Sequence, residues 1–258
     1  MYHFFVPEGP DEAGQIHITG SDVHHIRSVL RMKPGEQVVI SDGRDKDYYC
    51  EITELNPGEI TVQVLKETEA AELPARLILY QGLPKGEKME LIIQKAVELG
   101  ACRIVPVAMK RSVVKLDEKK ARAKTTRWNT IAESAAKQSG RSICPEVMLP
   151  LPFAEAIQES GNADRILVPY ENARGMQATR EAMTALAPGQ EIAIWIGPEG
   201  GFERSEIEAL EAAGAQTISL GRRILRTETA GLTALSLCMY HLELTGEEQP
   251  EHKEEGME

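Results

Sequence analysis

After Pro74 the sequence alternates between short apolar segments and amphipathic segments, and this alternation constrains the fold more than any other feature. Strands are predicted at 77–80, 104–107, 166–168, 192–196 and 217–220, and helices at 89–99, 125–139, 176–186, 205–213 and 229–244. Strands that alternate with helices form a parallel sheet with helices on both faces. The fold class predicted for residues 74–244 is therefore α/β.

The first 73 residues have a different pattern. Short strands are predicted at 37–43, 48–55 and 60–65, and a short helix begins at Ser21-Asp22 and ends near Leu30. Closely spaced strands separated by turn sequences are typical of a small β-barrel. Residues 67–75 lack a strand pattern, so the predicted domains are 1–73 and 74–244, followed by a polar, acidic and disordered tail at 245–258.

The distribution of charge is uneven along the chain. The formal net charge is −11, and residues 1–73 contribute 6 basic and 14 acidic side chains. Residues 85–141, by contrast, contain 14 basic and 6 acidic side chains. Because electrostatic potential is local on the scale of the Debye length, this basic sector can bind phosphate although the whole chain is acidic.

Several classes of protein are excluded by composition. No apolar run reaches the roughly 18 residues that a transmembrane helix needs. The N-terminus has no basic region and no signal-peptide cleavage site. The four cysteines are widely scattered, which fits neither a disulfide framework nor a zinc site. We therefore predict a cytoplasmic protein with reduced thiols, no membrane segment and no metal.

Three loops are expected to carry the chemistry, because ligands of open parallel sheets bind where the carboxyl ends of the strands give way to loops. They are residues 169–171, 197–202 and 221–229. The second loop, Gly197-Pro198-Glu199-Gly200-Gly201-Phe202, lets the backbone approach a ligand closely, although an ordinary strand-to-helix turn would look similar. The third combines arginines with an aliphatic pair, which suits a flat apolar ligand with polar edges.

Five segments resemble one known family. They are 25–31, 85–100, 111–112, 136–141 and, with the greatest specificity, 197–202 together with 220–230. In their order and content these segments are similar to the RsmE-type ribosomal RNA uridine-N3 methyltransferases of the SPOUT superfamily. The resemblance covers residues 1–244 and implies a PUA-like barrel followed by a SPOUT domain with a deep trefoil knot.

The resemblance also implies a function. It indicates S-adenosylmethionine-dependent methylation of N3 of one uridine in 16S rRNA, near the decoding site of the small ribosomal subunit, by a homodimer. The cofactor site that it implies consists of Leu167, Val168, Pro169, Ile196, Gly197, Pro198, Glu199, Gly200, Leu220, Gly221, Ile224 and Leu225.

Catalysis would require that the N3 proton of uracil be removed or the resulting anion stabilised. Candidate bases are Glu98, Glu199 and Glu228, and candidate stabilisers are Arg111 and Arg226. We favour Arg226 with Glu228, and the alternative for each residue is a structural ion pair or, for Glu98, a solvated helix face. The candidate RNA contacts are His25, Arg27, Arg31, Lys110, Arg111, Lys137 and Arg141, any of which could instead belong to a solvated basic face.

Two other functions remain open at this point. The first is a non-catalytic RNA-binding or ribosome-assembly protein, which would keep the barrel and the basic sector. The second is a small-molecule α/β enzyme that uses a nucleotide. This second reading is disfavoured because neither a Gly-x-Gly-x-x-Gly pattern nor a Walker lysine follows a predicted strand.

Overall fold

The computed structural model describes residues 1–44 and 46–247. Within these residues the chain forms two compact units. The N-terminal unit consists of Met1–Glu72 and Ala132–Pro145, and the C-terminal unit consists of Leu73–Ile131 and the described residues from Glu146 onward. The greater part of the expected tail, residues 248–258, lies outside the described residues.

The N-terminal unit contains one five-stranded sheet. Its strands are β1 (Tyr2–Phe5), β2 (Gln15–Ile18), β3 (Gln37–Ser41), β4 (Lys46–Leu55) and β5 (Ile60–Glu69), in the order β1-β3-β4-β5-β2. Only the β1–β3 pairing is parallel. A short helix, α1 (Ser21–His24), continues as a π-helical turn, His25–Val29.

The sheet curls around a single hydrophobic core. Every strand contributes to that core, for example Phe4 from β1, Ile16 from β2 and Ile40 from β3. This confirms the predicted small, PUA-like β-unit. The strand β5 extends to Glu69, beyond the predicted end at residue 65, because it pairs along its whole length with the long strand β4.

A buried polar network ties β1, β3 and β4 to the segment 132–145. Ser41 donates its hydroxyl hydrogen to Asp47, and Ser142 donates to the second carboxylate oxygen of Asp47 at 2.8 Å. Because the hydrogen of Ser41 is used in this way, the Nε2–H of His3 must donate to Ser41. Burial lowers the pKa of His3 below the usual 6.5, with Asp47 opposing the shift and Lys137 adding to it, so the imidazole is neutral at pH 7.

The C-terminal unit contains a seven-stranded sheet in which every pairing is parallel. Its strands are β6 (Arg76–Gly82), β7 (Ala101–Ala108), β8 (Glu146–Val147), β9 (Leu151–Pro152), β10 (Arg165–Pro169), β11 (Glu191–Ile196) and β12 (Gln216–Ile218). The order is β12-β10-β11-β6-β7-β8, and β9 also pairs with β7.

Six helices accompany this sheet. They are α2 (Lys88–Glu98), α3 (Glu118–Ser139), α4 (Phe153–Ser160), α5 (Gln177–Thr184), α6 (Arg204–Ala212) and α7 (Thr227–Glu247). Side chains of α4 and α6 share one core with Tyr80 and Trp195, whose rings stack at 4.8 Å. The helices α2 and α7 pack on each other and on strands β6, β7 and β11. The predicted parallel α/β architecture is thus confirmed.

Some elements differ from the prediction. Helix α3 begins at Glu118, before the predicted start at Thr125. The prediction missed the first two turns because they are polar and show no apolar period. Helix α7 continues through Glu247, past the predicted boundary at residue 244. Strands β1, β2, β8 and β9 and helix α4 were not predicted, since each is too short to show a clear period.

Neither a helix that could cross a membrane nor a cluster of metal ligands is present among the described residues. No helix in ranges 1–44 and 46–247 has the length and hydropathy to cross a membrane. Over the same ranges, no three His, Cys, Asp or Glu side chains converge as metal ligands would.

We expect His3 to make the N-terminal unit acid-sensitive. Because its pKa is depressed in the folded state, the unfolded chain binds the proton more readily, and stability falls as pH drops below about 6.5. In an NMR titration, the imidazole of His3 should titrate below the usual value of 6.5. Replacing His3→Gln should flatten the fall in unfolding temperature between pH 7 and pH 5; an equally steep fall in the variant would contradict this role.

Candidate ligand-binding cleft

The three loops named above meet in one cleft at the carboxyl ends of β10, β11 and β12. The cleft has a volume of about 730 Å3, which lies within the range of small-molecule sites. Its lining comprises Lys88, Pro169, Tyr170, Glu171, Asn172, Arg174, Ile196, Gly197, Pro198, Glu199, Gly201, Phe202, Ser219, Leu220, Gly221, Arg222, Arg223, Ile224, Leu225, Arg226, Thr227 and Ala230.

The glycine-rich loop is fixed by a buried hydroxyl at the start of α7. Thr227 Oγ1 donates to the carbonyl oxygen of Gly197 at 2.7 Å. The side-chain amide of Gln81, at the end of β6, donates to the same Oγ1 at 2.9 Å and to the carbonyl of Gly82 at 2.9 Å. The hydroxyl of Thr227 thus acts as a hydrogen-bond donor and as an acceptor, and it holds together three segments that are distant in sequence.

Gly82 allows the loop to pass close to β6. A Cβ atom at position 82 would lie 2.7 Å from both the ring Cδ and the backbone nitrogen of Pro198. No side chain can be accommodated at that distance without moving the loop. The absence of a Cβ at Gly82 therefore allows Pro198 to pack directly against the end of β6.

One wall of the cleft combines apolar side chains with an open backbone. Ile224 is 86% exposed, which is unusual for a large aliphatic side chain. Gly221 has φ of +110°, and a Cβ placed there would meet no atom within 4 Å. The loop 221–226 therefore leaves free space beside Leu220 and Leu225, in which a flat ligand can lie.

A lysine holds two carboxylates at the inner end of the cleft. Lys88 Nζ, in the first residue of α2, lies 3.2 Å from Glu199 Oε1 and 3.3 Å from Glu228 Oε2. Of the two carboxylates, Glu199 lines the cleft, whereas Glu228 lies outside the lining with only 15% of its side chain exposed. Glu228 is thus an ion-pair partner of Lys88, the structural alternative considered for it.

The carboxylate of Glu199 is stabilised in its ionised form. Burial pushes its pKa up, but the backbone N–H groups of Glu199 and Lys85 and the ammonium of Lys88 together bring the pKa below the usual 4.5. The Lys85 N–H bond to Glu199 is 3.0 Å long. Glu199 is therefore a weak base with a well-fixed position.

Two other catalytic candidates lie outside the cleft lining. Glu98 is at the far end of α2 and pairs with Lys95 at 2.8 Å. Arg111 donates from Nε to Glu203 at 2.8 Å and from Nη1 to the carbonyl of Gly200 at 3.0 Å. These contacts give Arg111 the role of a support for the glycine-rich loop, whereas Arg226 does line the cleft.

The cofactor residues expected from the sequence fall into two groups. Nine line the cleft: Pro169, Ile196, Gly197, Pro198, Glu199, Leu220, Gly221, Ile224 and Leu225. Leu167 and Val168 do not, because both are buried inside the sheet as part of β10. Gly200 does not either, because a Cβ there would press on Arg111 Cβ at 3.0 Å, on the side packed against protein.

The RNA-contact candidates also divide. His25, Arg27 and Arg31 are exposed on and just after the π-helical turn. Lys110 is exposed as well, and its Nζ donates to Ser205 Oγ at 2.8 Å.

Two RNA-contact candidates are instead committed to the interior of the N-terminal unit. Lys137 pairs with Asp22 at 2.8 Å and with Glu133 at 2.9 Å. Arg141 is 6% exposed and donates from Nε to both oxygens of Glu72 at 2.9 Å. A phosphate contact by either residue would require breaking a half-buried or buried ion pair, which makes both less available to RNA than the exposed candidates.

Sequence reasoning missed Lys88, Gln81 and Arg174 as site residues. Lys88 had a signal: a lysine in the first residue of a helix opposes the helix dipole, which implies a nearby carboxylate partner. Gln81 also had one, since an amide in an otherwise apolar strand must find buried partners. Arg174 had none, because it belongs to a polar loop of ordinary composition.

Comparison with known proteins places the chain among RNA-modifying enzymes. The family model described as RNA methyltransferase domain matches residues 71–239, and that described as RNA methyltransferase PUA domain matches residues 18–65. Ribosomal RNA small subunit methyltransferase E of Bacillus subtilis (strain 168) is 41% identical over 238 residues, covering 91% of this chain and 93% of the relative. Its Mycobacterium tuberculosis counterpart is 31% identical, covering 90% and 88%.

Solved structures show the same similarity. A ribosomal RNA small subunit methyltransferase E from Neisseria gonorrhoeae bound to S-adenosyl methionine has a TM-score of 0.78 and 32% identity, covering 92% of this chain and 95% of that one. A Legionella pneumophila protein whose structure holds the cofactor SAM has a TM-score of 0.80 and 30% identity, covering 93% and 97%.

Gly82 offers a test of how the glycine-rich loop is held. Gly82→Ala should lower the free energy of unfolding by about 1–3 kcal/mol, the usual cost of overpacking, because the added Cβ overlaps Pro198. Gly58→Ala is the matched control, since a Cβ at that position meets no atom within 4 Å. Chemical denaturation followed by fluorescence measures both variants. Equal stability of the two variants would contradict the close approach of Gly82 and Pro198.

Proposed function

The chain belongs to the ribosomal RNA small subunit methyltransferase E family, and from this premise we propose that it methylates N3 of one uridine in 16S rRNA of the small ribosomal subunit, near the decoding site. The methyl donor of this reaction is S-adenosylmethionine. The observation that carries the proposal is the convergence of loops 169–174, 197–202 and 219–227 on one cleft beside the parallel sheet. A cytoplasmic location is part of the proposal, because the substrate is ribosomal RNA.

The residues present fit S-adenosylmethionine. The cleft volume accommodates a nucleoside with an amino-acid side chain, and the space beside Gly221 is one that a Cβ would occupy. Leu220 and Leu225 line the cleft and offer apolar surface to adenine, and the backbone of Gly197 lines it as well. When bound, this cofactor supplies a methyl group on a positively charged sulfur.

The chain's own residues then handle the uracil imide. Methyl transfer breaks the bond from sulfur to methyl carbon, forms the bond from that carbon to N3, and releases the N3 proton. We propose that Arg226, which lines the cleft, stabilises the charge that develops on the uracil oxygens, because a cation placed where negative charge develops is effective in this role. Glu199 accepts the proton, since it is the candidate carboxylate that lines the cleft beside the glycine-rich loop.

Lys88 acts as a positioning residue for this reaction. Its ammonium pairs with both Glu199 and Glu228 and contributes to lowering the pKa of Glu199. Glu228 in turn fixes Lys88, which would otherwise be free to turn toward solvent. The favoured pair from sequence, Arg226 with Glu228, thus becomes Arg226 with Glu199 in the proposed mechanism, because Glu228 lies behind Lys88.

A homodimer is part of the proposal. Helix α7 is apolar on nearly all sides, and one side packs on the sheet through residues such as Leu235 and Leu242. Tyr240 and Leu244, four positions apart, are 65% and 45% exposed. An apolar stripe of this kind on a long helix suits contact with a second copy of the chain.

The RNA contacts, the knot and the domain boundaries expected from the sequence are kept as predictions. RNA contact by His25, Arg27 and Arg31 is retained, since all three are exposed on the N-terminal unit. The trefoil knot and the domain boundaries at 73/74 and 244/245 stay predictions. A non-catalytic ribosome-assembly protein is the alternative, and it would have no need of a cleft that fits a methyl donor.

The function is tested by analysing modified nucleosides in ribosomal RNA. Small-subunit rRNA from cells lacking the protein should contain no N3-methyluridine, and addition of purified protein with S-adenosylmethionine should restore it, as measured by mass spectrometry. Leu225→Asp should weaken cofactor binding at least tenfold in calorimetry, because it places a charge beside the adenine position. Cofactor binding without any methylated uridine would support the assembly-protein alternative instead.

The role of Lys88 is tested by the pH dependence of methyl transfer. Lys88→Met removes one of the groups that depress the pKa of Glu199, so the acid-side loss of kcat should begin at higher pH than in the wild type. Lys85→Met is the matched control, because Lys85 contacts Glu199 through its backbone N–H, which the variant retains. Superimposable pH profiles for the wild type and Lys88→Met would exclude this positioning role.

A further inference from the structure

The cleft carries more positive charge than its proposed cofactor can use. Its lining contains five basic side chains and two acidic ones, in a chain whose net charge is −11. S-adenosylmethionine brings a sulfonium, an ammonium and only one carboxylate, so its own net charge is positive. Binding the cofactor therefore adds to the excess of positive charge, and an anion is needed to balance it.

Ion pairs distinguish the basic side chains of the cleft that are held by carboxylates from those that remain available to a ligand. Lys88 is neutralised by Glu199 and Glu228. Across the described part of the chain, no ion pair is found for the other four basic groups of the lining, which are Arg174, Arg222, Arg223 and Arg226. Because all four are also solvent-exposed, their guanidinium groups are available to a ligand.

The two loops that carry these arginines are neighbours. Arg174 follows β10, and Arg222 and Arg223 follow β12, whose residues 216–218 pair with residues 167–169 of β10. The Tyr170 N–H donates to the Ile218 carbonyl at 3.0 Å, which extends the pairing to the point where the loops diverge. The guanidinium groups therefore lie on loops that leave adjacent strands and border the same cleft.

Resting on the proposed function, we infer that Arg174, Arg222 and Arg223 form a binding site for the phosphodiester groups that flank the target uridine. The planar guanidinium group matches phosphate geometry with two parallel hydrogen bonds. The exposed side chain of Ile224, between Arg223 and Arg226, supplies apolar surface at the same rim for a base taken out of its stack. Arg226 is left for the uracil itself.

The test measures RNA affinity and cofactor affinity separately. In the variant Arg174→Gln/Arg222→Gln/Arg223→Gln, the slope of log affinity for an RNA hairpin with a loop uridine against log salt concentration should become shallower by roughly 2.1 to 2.7. The affinity for S-adenosylmethionine, measured by calorimetry, separates the two roles: a change of no more than twofold is expected, and a larger loss would assign these arginines to the cofactor and overturn the phosphate site. Far-ultraviolet circular dichroism verifies the fold.

Two control variants sharpen the result. Arg174→Lys/Arg222→Lys/Arg223→Lys keeps the charges, so it should retain the slope. Arg76→Gln/Arg165→Gln/Arg180→Gln removes three exposed arginines outside the cleft lining and should also leave the slope unchanged.

The outcomes separate this site from the proposed function. An unchanged slope in the glutamine variant of the cleft, or an equal reduction in the variant outside it, would overturn the phosphate site while methyl transfer by the wild type stands. A wild-type protein that binds no S-adenosylmethionine and methylates no RNA would overturn the proposed function, and this site with it.

Discussion

The hydroxyl group of Thr227 joins the three parts of the chain on which the cleft depends. It donates to Gly197 in the glycine-rich loop, accepts from Gln81 at the end of β6, and belongs to the first turn of α7. Buried hydrogen bonds of this kind contribute modestly when made, but an unsatisfied buried partner costs roughly 1–3 kcal/mol. The position of the loop is therefore coupled to the entry of α7, and the cleft wall at 221–226 lies directly before that entry.

Close backbone approach provides the second constraint. The glycine-rich loop is held closely from two sides, since a Cβ at Gly82 would overlap Pro198 at 2.7 Å and a Cβ at Gly200 would press on Arg111 at 3.0 Å. The loop composition thus serves packing as much as ligand access. In the sequence Gly200 looked like part of a ligand-binding loop. In the structure, the side on which it lacks a Cβ faces Arg111, the arginine that supports the loop.

Much of the architecture follows from local sequence patterns, and much of the site does not. The strands β10 and β11 were predictable because each is a short apolar run that leads into a loop. Lys137 and Arg141 illustrate the limit, since nothing in their local sequence shows that Asp22 and Glu72 lie beside them in the fold. Pairing between residues distant in sequence decides whether a basic side chain is structural or available, and that information appears only when the chain is folded.

The placement of charge reconciles an acidic protein with an anionic substrate. Screening confines the influence of an exposed charge to about 8 Å at physiological ionic strength, so distant acidic side chains have little effect on the potential in the cleft. Close to the cleft, Glu199 and Glu228 are already occupied by Lys88, and among the described residues no ion pair joins the neighbouring arginines to these carboxylates or to Glu171, the other acidic residue of the lining. A single lysine thus orders Glu199, the proton acceptor that we propose, and keeps it from neutralising the arginines that would meet the RNA.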